Sequence, residues 1–162
     1  MNLNSLLLLL NHQFKISVEP IHPVFSESAA FFLPHQLQYH DSDFCNTVKN
    51  GHLSECIENK RRSIEIASRG RRFSGCCPFG VWEYVQPVMF EEEMVAILYL
   101  GTRKSGSPSP ETRQRLAAEA TFLKNFILYE FALLQTYGKL EHRGESDDFL
   151  LHQADAFIQL YY

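Results

Sequence analysis

Hydrophobic and polar positions in the first half of the chain predict two short strands and two helices. Residues 2–12 are rich in leucine and predict an opening helix, whereas residues 14–18 alternate apolar and polar side chains as a half-buried strand does. A second short strand is predicted over residues 30–33, just before a proline. From His52 to Ser68 the apolar side chains recur every three, four or seven residues, which predicts an amphipathic helix.

Three further strands are predicted in quick succession over residues 72–76, 81–90 and 94–100. The last two are separated only by the acidic segment Glu91-Glu92-Glu93, which is short enough for an antiparallel hairpin. With the two strands of the first half, the total is about five.

A long helix is predicted after the hairpin. Ser109 supplies a cap oxygen, Pro110 suits the first helical turn, and Glu111 lies near the positive end of the helix dipole. The apolar positions continue to about Tyr137 in two rows: Leu116, Ala120, Leu123, Ile127, Phe131 and Leu134, and Phe122, Phe126, Tyr129, Leu133 and Tyr137. One row can cover a sheet, and the second needs another partner. We therefore predict a homodimer through residues 111–137.

This order of elements resembles the α+β fold of PAS-like and GAF-like sensors, in which helices flank an antiparallel sheet around a small-molecule cavity. A length of 162 residues fits one such domain. The net charge of −4 argues against a nucleic-acid-binding surface over the whole chain. The apolar run from Leu6 to Leu10 is too short to span a membrane and lacks the basic start of a signal peptide. We expect a cytoplasmic protein without a membrane partner.

The four cysteines, Cys45, Cys56, Cys76 and Cys77, are too few for a disulfide scaffold and are expected to remain thiols. The spacings His40-x4-Cys45 and His52-x3-Cys56 suggest a metal, but zinc sites normally show tighter paired spacings. We expect no metal, no cofactor and no catalysis, since no stretch combines a cysteine and histidine with a third orienting group. A thiol-based metal or redox sensor stays open as an alternative.

One set of motifs is more specific. Phe44-Cys45, Cys56 followed by Arg61-Arg62, the segment Cys77-Pro-Phe-Gly80-Val-Trp-Glu83, and Ile97-Leu-Tyr-Leu-Gly101 together resemble the PocR-type sensory domain over residues 12–135. Residues that match the family pattern are Cys45, Cys56, Cys77, Gly80, Glu83 and Gly101. Lys60 stands where the family usually has Asp, Pro78 stands where it often has His, and a Glu replaces the Gly near the hairpin tip. The resemblance implies a sensor of a small hydrocarbon derivative, such as a diol or short acid, in a bacterial transcriptional regulator.

The tail adds a second resemblance. Residues 151–162 are similar to the opening helix of an AraC-type DNA-binding region. This divides the chain into a sensory domain (1–137), a charged linker (138–146) and the start of a truncated DNA-binding region (147–162). DNA is then expected as a partner only through a helix-turn-helix region after residue 162. The alternative is a sensor module of a histidine kinase, in which a kinase region would occupy that place.

The ligand site is predicted between the central helix and the sheet. Three thiols and an aromatic patch beside a carboxylate suit a small polar organic molecule. The residues expected around it are Phe44, Cys45, Cys56, Cys77, Phe79, Trp82, Glu83 and Tyr84. Strand alternation places Trp82 and Tyr84 on one face and Glu83 on the other, so a packed core and a solvent-facing carboxylate are the simpler interpretation. The basic run Lys60-Arg61-Arg62 is interpreted as a solvated helix face rather than a phosphate grip.

Overall fold

Four antiparallel strands form the sheet in a computed structural model that describes residues 2–10, 14–34, 37–38, 43–101 and 106–141. They are β1 (Lys15–Pro20), β2 (Phe73–Cys76), β3 (Trp82–Phe90) and β4 (Glu93–Gly101), in the spatial order β1-β4-β3-β2. The helices are α1 (Leu3–Leu10), α2 (Val24–Glu27), α3 (Asp43–Ala67) and α4 (Pro110–Glu141). The predicted α+β class, with helices flanking an antiparallel sheet and a long C-terminal helix, is confirmed. None of the described helices is long and apolar enough to cross a membrane.

The strand predicted over residues 30–33 is wrong, which leaves four strands among the described residues rather than about five. Ala29–Phe31 form a short 3₁₀ turn, in which Phe32 N–H donates to the Ala29 carbonyl at 3.3 Å. The buried Phe31 ring packs edge-on against Phe25, with 5.2 Å between ring centroids. Two small alanines and the buried Phe31 ring favour a compact turn here. The apolar pattern of so short a run does not distinguish a strand from a buried turn.

The central helix α3 begins at Asp43, well before the predicted start at His52. His52 itself has non-helical backbone angles (φ −132°, ψ 31°), so α3 consists of two segments joined by a kink. The segment before the kink has Asn50 and Gly51 at its end, and both residues have low helix propensity. Because Asn50 and Gly51 interrupt the apolar pattern, the pattern did not predict the first segment. The predicted start of the helix therefore coincides with the kink.

The long helix α4 begins as predicted. Thr112 N–H donates to the Ser109 Oγ at 3.2 Å, which confirms the serine cap. The helix continues to Glu141, past the predicted end at Tyr137, because Gly138 lowers helix stability without breaking the helix and is followed by good helix formers. The rest of the predicted linker and the tail helix lie outside the described residues.

The sheet separates two apolar layers of unequal size. On one face, α4 packs on β3 and β4 over side chains such as Trp82 and Leu98, and α1 contributes leucines to the same large core. On the other face the buried cluster contains only Ala67, Val85, Ile97 and Tyr99 among the described residues. The α3 side of the sheet is therefore the side where packing is incomplete.

Candidate functional site

A cavity of about 320 Å³ lies between α3 and the sheet. Its floor comes from three strands, which supply Ser17, Glu83 and Tyr99. One wall is the turn that joins β2 to β3. The opposite wall is α3, and the remaining side chains around the cavity are Gln38, Phe44, Cys45, Val48, Lys49, Leu53, Cys56, Ile57, Asn59, Lys60, Ser63, Cys77, Pro78, Phe79 and Val81.

The cavity exists because α3 contacts the sheet mainly at its C-terminal end. Ala67 is completely buried in the smaller core, with Ile64 packed against the same cluster. Toward the N-terminal end, Phe44, Leu53 and Ile57 line the cavity and remain 50%, 52% and 60% exposed. Apolar side chains that are grouped around one space and remain partly exposed are typical of a ligand cavity.

Six of the eight predicted site residues line this cavity: Phe44, Cys45, Cys56, Cys77, Phe79 and Glu83. Trp82 and Tyr84 do not, because neighbouring residues of β3 point to opposite faces of the sheet. Trp82 is only 8% exposed in the core beneath α4, and Tyr84 packs against the same core. The Arg113 guanidinium lies 5.6 Å from the Trp82 ring centroid.

Glu83 reaches the cavity by ordinary strand alternation. The only register shift in the β3–β4 pairing falls between Val88 and Met89, so the pairing around Glu83 is regular. Its neighbour across the ladder is Gly101, where an added Cβ would lie 3.2 Å from the Trp82 carbonyl oxygen and 3.5 Å from Glu83 Cγ. The glycine therefore leaves room for the Glu83 side chain.

Each of the three cavity thiols has a different environment. Cys77 is held in a tight turn: Val81 N–H donates to its Sγ at 3.3 Å, its own N–H donates to the Val81 carbonyl at 2.9 Å, and Gly80 takes the left-handed φ of +87° that the turn requires. Burial raises the pKa of Cys56, and the nearby Cys77 thiol raises it further. Cys45 Sγ accepts a hydrogen bond from Lys15 Nζ at 3.2 Å.

The described part of the chain contains no group of three or more histidine, cysteine or acidic side chains that could hold a metal ion. His40, from the first candidate metal spacing, lies outside the described residues. His52, from the second, has its Nδ1 3.0 Å from a Glu55 carboxylate oxygen, and its ring centroid lies 5.4 Å from that of Phe79.

Charged groups at the cavity are organised by ion pairs. Lys60 Nζ lies 2.5 Å from a Glu19 carboxylate oxygen, which links α3 to β1 at the cavity edge. Arg61 and Arg62 point away and pair with Glu58 on their own helix. Arg61 and Arg62 thus form the solvated helix face that was expected, whereas Lys60, from the same basic run, lines the cavity.

The sequence did not indicate the polar part of the cavity. The cavity is lined by Ser17 from β1 and by Lys60 and Ser63 from α3. Hydrophobic periodicity selects only apolar positions, so it did not predict these polar residues. The spacing Cys45, Lys49, Cys56, Lys60, Ser63 follows one helix face at intervals of three, four and seven residues, and this signal would have found them. Tyr99 lies within a continuously apolar run, where alternation gives no face.

Comparison with known proteins gives one match. A family model described as the sensory domain found in PocR matches residues 28–139. No curated protein and no solved structure matches the chain.

Proposed function

Because the chain belongs to the family of PocR sensory domains, we propose that it binds a small polar organic molecule in the cavity between α3 and the sheet, without catalysis. The observation that carries this proposal is the cavity itself, an opening of about 320 Å³ with apolar walls and a polar floor. Its volume lies at the small end of the range for ligand pockets, which favours a ligand of few atoms.

The distribution of side chains favours a short carbon chain with hydroxyl or carboxyl groups. Phe44, Ile57 and Phe79 offer apolar contact from the two walls. On the floor, Glu83 accepts hydrogen bonds from hydroxyl groups, whereas Ser17 both donates and accepts. The ammonium group of Lys49 suits a carboxylate, whereas that of Lys60 is paired with Glu19. Diols, alcohols and short acids combine these properties.

This proposal is tested by calorimetric titration with a panel of 1,2-propanediol, 1,3-propanediol, glycerol, propionate and lactate. Ser63→Phe introduces a ring from the α3 wall into the cavity, and Ser54→Phe places the same ring on an exposed position of the same helix outside it. We expect saturable binding of at least one compound, a loss of about tenfold or more in Ser63→Phe, and unchanged affinity in Ser54→Phe. Binding of no compound, or equal affinity in both variants, would contradict the proposal.

We also propose that the domain acts within an AraC-type transcriptional regulator as a homodimer through residues 111–137. Support comes from the second apolar row of α4. Phe126 is buried within the protomer, but Phe122, Tyr129 and Leu133 are only half-buried. A two-fold contact through these side chains would match the symmetry of a palindromic operator. Sedimentation velocity is expected to show a dimer at tens of micromolar, and Leu133→Asp is expected to dissociate it. A monomeric wild type would contradict the proposed dimer.

A further inference from the structure

One cavity thiol is paired with a cation. Lys15 lies on β1 and carries its ammonium to the first segment of α3, where Nζ donates to Cys45 Sγ at 3.2 Å. An ammonium within hydrogen-bonding distance of sulfur stabilises the thiolate, which is the nucleophilic form of cysteine. Cys45 is half-buried and lines the cavity, so a molecule bound there has access to the sulfur.

The other two cavity thiols are in surroundings that favour the protonated form or hold the sulfur in a turn. Burial raises the pKa of Cys56, which keeps this thiol neutral near pH 7. Cys77 accepts the Val81 N–H within its own turn. The cavity therefore combines one thiol that contacts a cation, one whose burial disfavours the thiolate, and one whose sulfur is bound within a turn.

We propose that Cys45 adds reversibly to the carbonyl carbon of a small aldehyde bound in the cavity, with Lys15 donating the proton. This inference rests on the proposed function, since it uses the same cavity, and it names a class of ligand that forms a covalent bond. Reversibility suits a sensor, because addition to a carbonyl needs neither an oxidant nor a reductant to be undone.

The addition conserves atoms and electrons within the site. The Cys45 thiolate forms a C–S bond as the π bond of the carbonyl breaks and its electron pair moves to oxygen. The Lys15 ammonium then transfers its proton to that oxygen, which gives a neutral hemithioacetal and a neutral amine. The reverse steps release the aldehyde.

Several ionisable groups face the same space and contribute to its pH dependence. From α3 these are Lys49, Lys60 and Cys56, from the sheet they are Glu83 and Tyr99, and from the turn between β2 and β3 it is Cys77. Of these, the Glu83 carboxylate opposes the thiolate electrostatically and the two lysines favour it. Lys15 Nζ donates a hydrogen bond to Cys45 Sγ, so removal of the Lys15 ammonium tests this pairing.

The first experiment measures adduct formation by ¹³C NMR with [1-¹³C]propanal at pH 7.5. We expect a hemithioacetal signal in the wild type and in Cys76→Ser, which removes an exposed thiol outside the cavity. Cys45→Ser is expected to lower adduct occupancy at least tenfold at subsaturating propanal. An equal signal in Cys45→Ser, or a signal from an imine instead of a hemithioacetal, would overturn the inference.

The second experiment measures the rate of alkylation of each cysteine by iodoacetamide at pH 7, read by peptide mass spectrometry. Cys45 is expected to react several times faster than Cys56, with this advantage lost in Lys15→Met and retained in Lys15→Arg. Equal rates for Cys45 in wild type and Lys15→Met would contradict the pairing. Thermal melts show whether each variant is folded.

Titration of the wild type and of Cys76→Ser with 1,2-propanediol separates this inference from the proposed function. The diol has no carbonyl, so diol binding in both proteins, together with a propanal adduct that depends on Cys45, supports both statements. Diol binding in a wild type that forms no adduct overturns the covalent step and leaves the sensing function in place. Absence of both kinds of binding in the wild type overturns both.

Discussion

The phenol of Tyr99 is the most deeply buried polar group on the cavity floor after Ser17, with only 5% of the residue exposed. Burial raises the pKa of Tyr99 to about 12, an effect that Ser63 opposes and that the carboxylates of Glu83 and Glu19 reinforce. The charged form is disfavoured in the folded state, so the unfolded chain loses its proton first as pH rises. Stability linked to Tyr99 is thus fully present below about pH 10 and is lost between roughly pH 10 and 12.

Tyr99→Phe is expected to remove the loss of folding stability that Tyr99 causes at alkaline pH. This loss amounts to roughly 2 to 3 kcal/mol of unfolding free energy once the titration of Tyr99 is complete. Urea unfolding at a series of pH values from about 8 to 12 measures it. The matched control is Tyr84→Phe, which removes a phenol from the opposite face of the sheet and leaves Tyr99 in place. Identical pH profiles for wild type and Tyr99→Phe would show that Tyr99 does not titrate as described.

Single residues of the site were predictable to the extent that their chemistry is distinctive. The three cavity cysteines and Glu83 were found because thiols and an acid within an apolar stretch are unusual, and because they match a family pattern. Trp82 was expected at the ligand for its aromatic ring alone. Alternation placed Trp82 and Glu83 on opposite faces, but which face α4 covers depends on contacts that the sequence pattern does not specify.

At the scale of elements, the β3–β4 hairpin has an unfavourable turn sequence. Its two-residue loop consists of Glu91 (φ 48°) and Glu92 (φ 70°), so both residues have the positive φ of a type I′ turn. Positive φ is costly for a residue with a Cβ, and two adjacent carboxylates repel each other.

Glu92→Gly is therefore expected to stabilise the protein by about 1 kcal/mol, measured as a shift in the midpoint of urea unfolding. Glu93→Gly is the control, since Glu93 belongs to β4 and glycine weakens a strand. It should lower the midpoint. If Glu92→Gly also lowered it, the glutamate would be making a favourable contact that outweighs the strain of its backbone.

The elements themselves were predictable where a strong signal marks each end. Ser109 caps the start of α4, and the consecutive glutamates interrupt two apolar strands and so indicate the position of the hairpin turn. The start of α3 was missed because the kink at His52 interrupts its period. The false strand at residues 30–33 arose because a run of four apolar residues is equally compatible with a buried turn.

On the scale of the whole molecule, the proposed function depends on the unequal coverage of the sheet. The α4 side is filled by a large core, whereas α3 closes the other side only at its C-terminal end. A sheet with one packed face and one partly open face holds its floor residues rigidly while the cavity remains accessible. Packing on the α4 face therefore supports the positions of Ser17, Glu83 and Tyr99 beneath a ligand.

The most direct test of the account is to map amide chemical shifts in ¹⁵N-labelled protein during titration with the diols and acids of the panel. Binding in the cavity predicts changes concentrated in residues 45–63, in the turn 77–81, and at Glu83 and Tyr99, with small changes in α4. No change with any compound, or changes concentrated in α1 and α4 instead, would contradict the assignment of the ligand site to the space between α3 and the sheet.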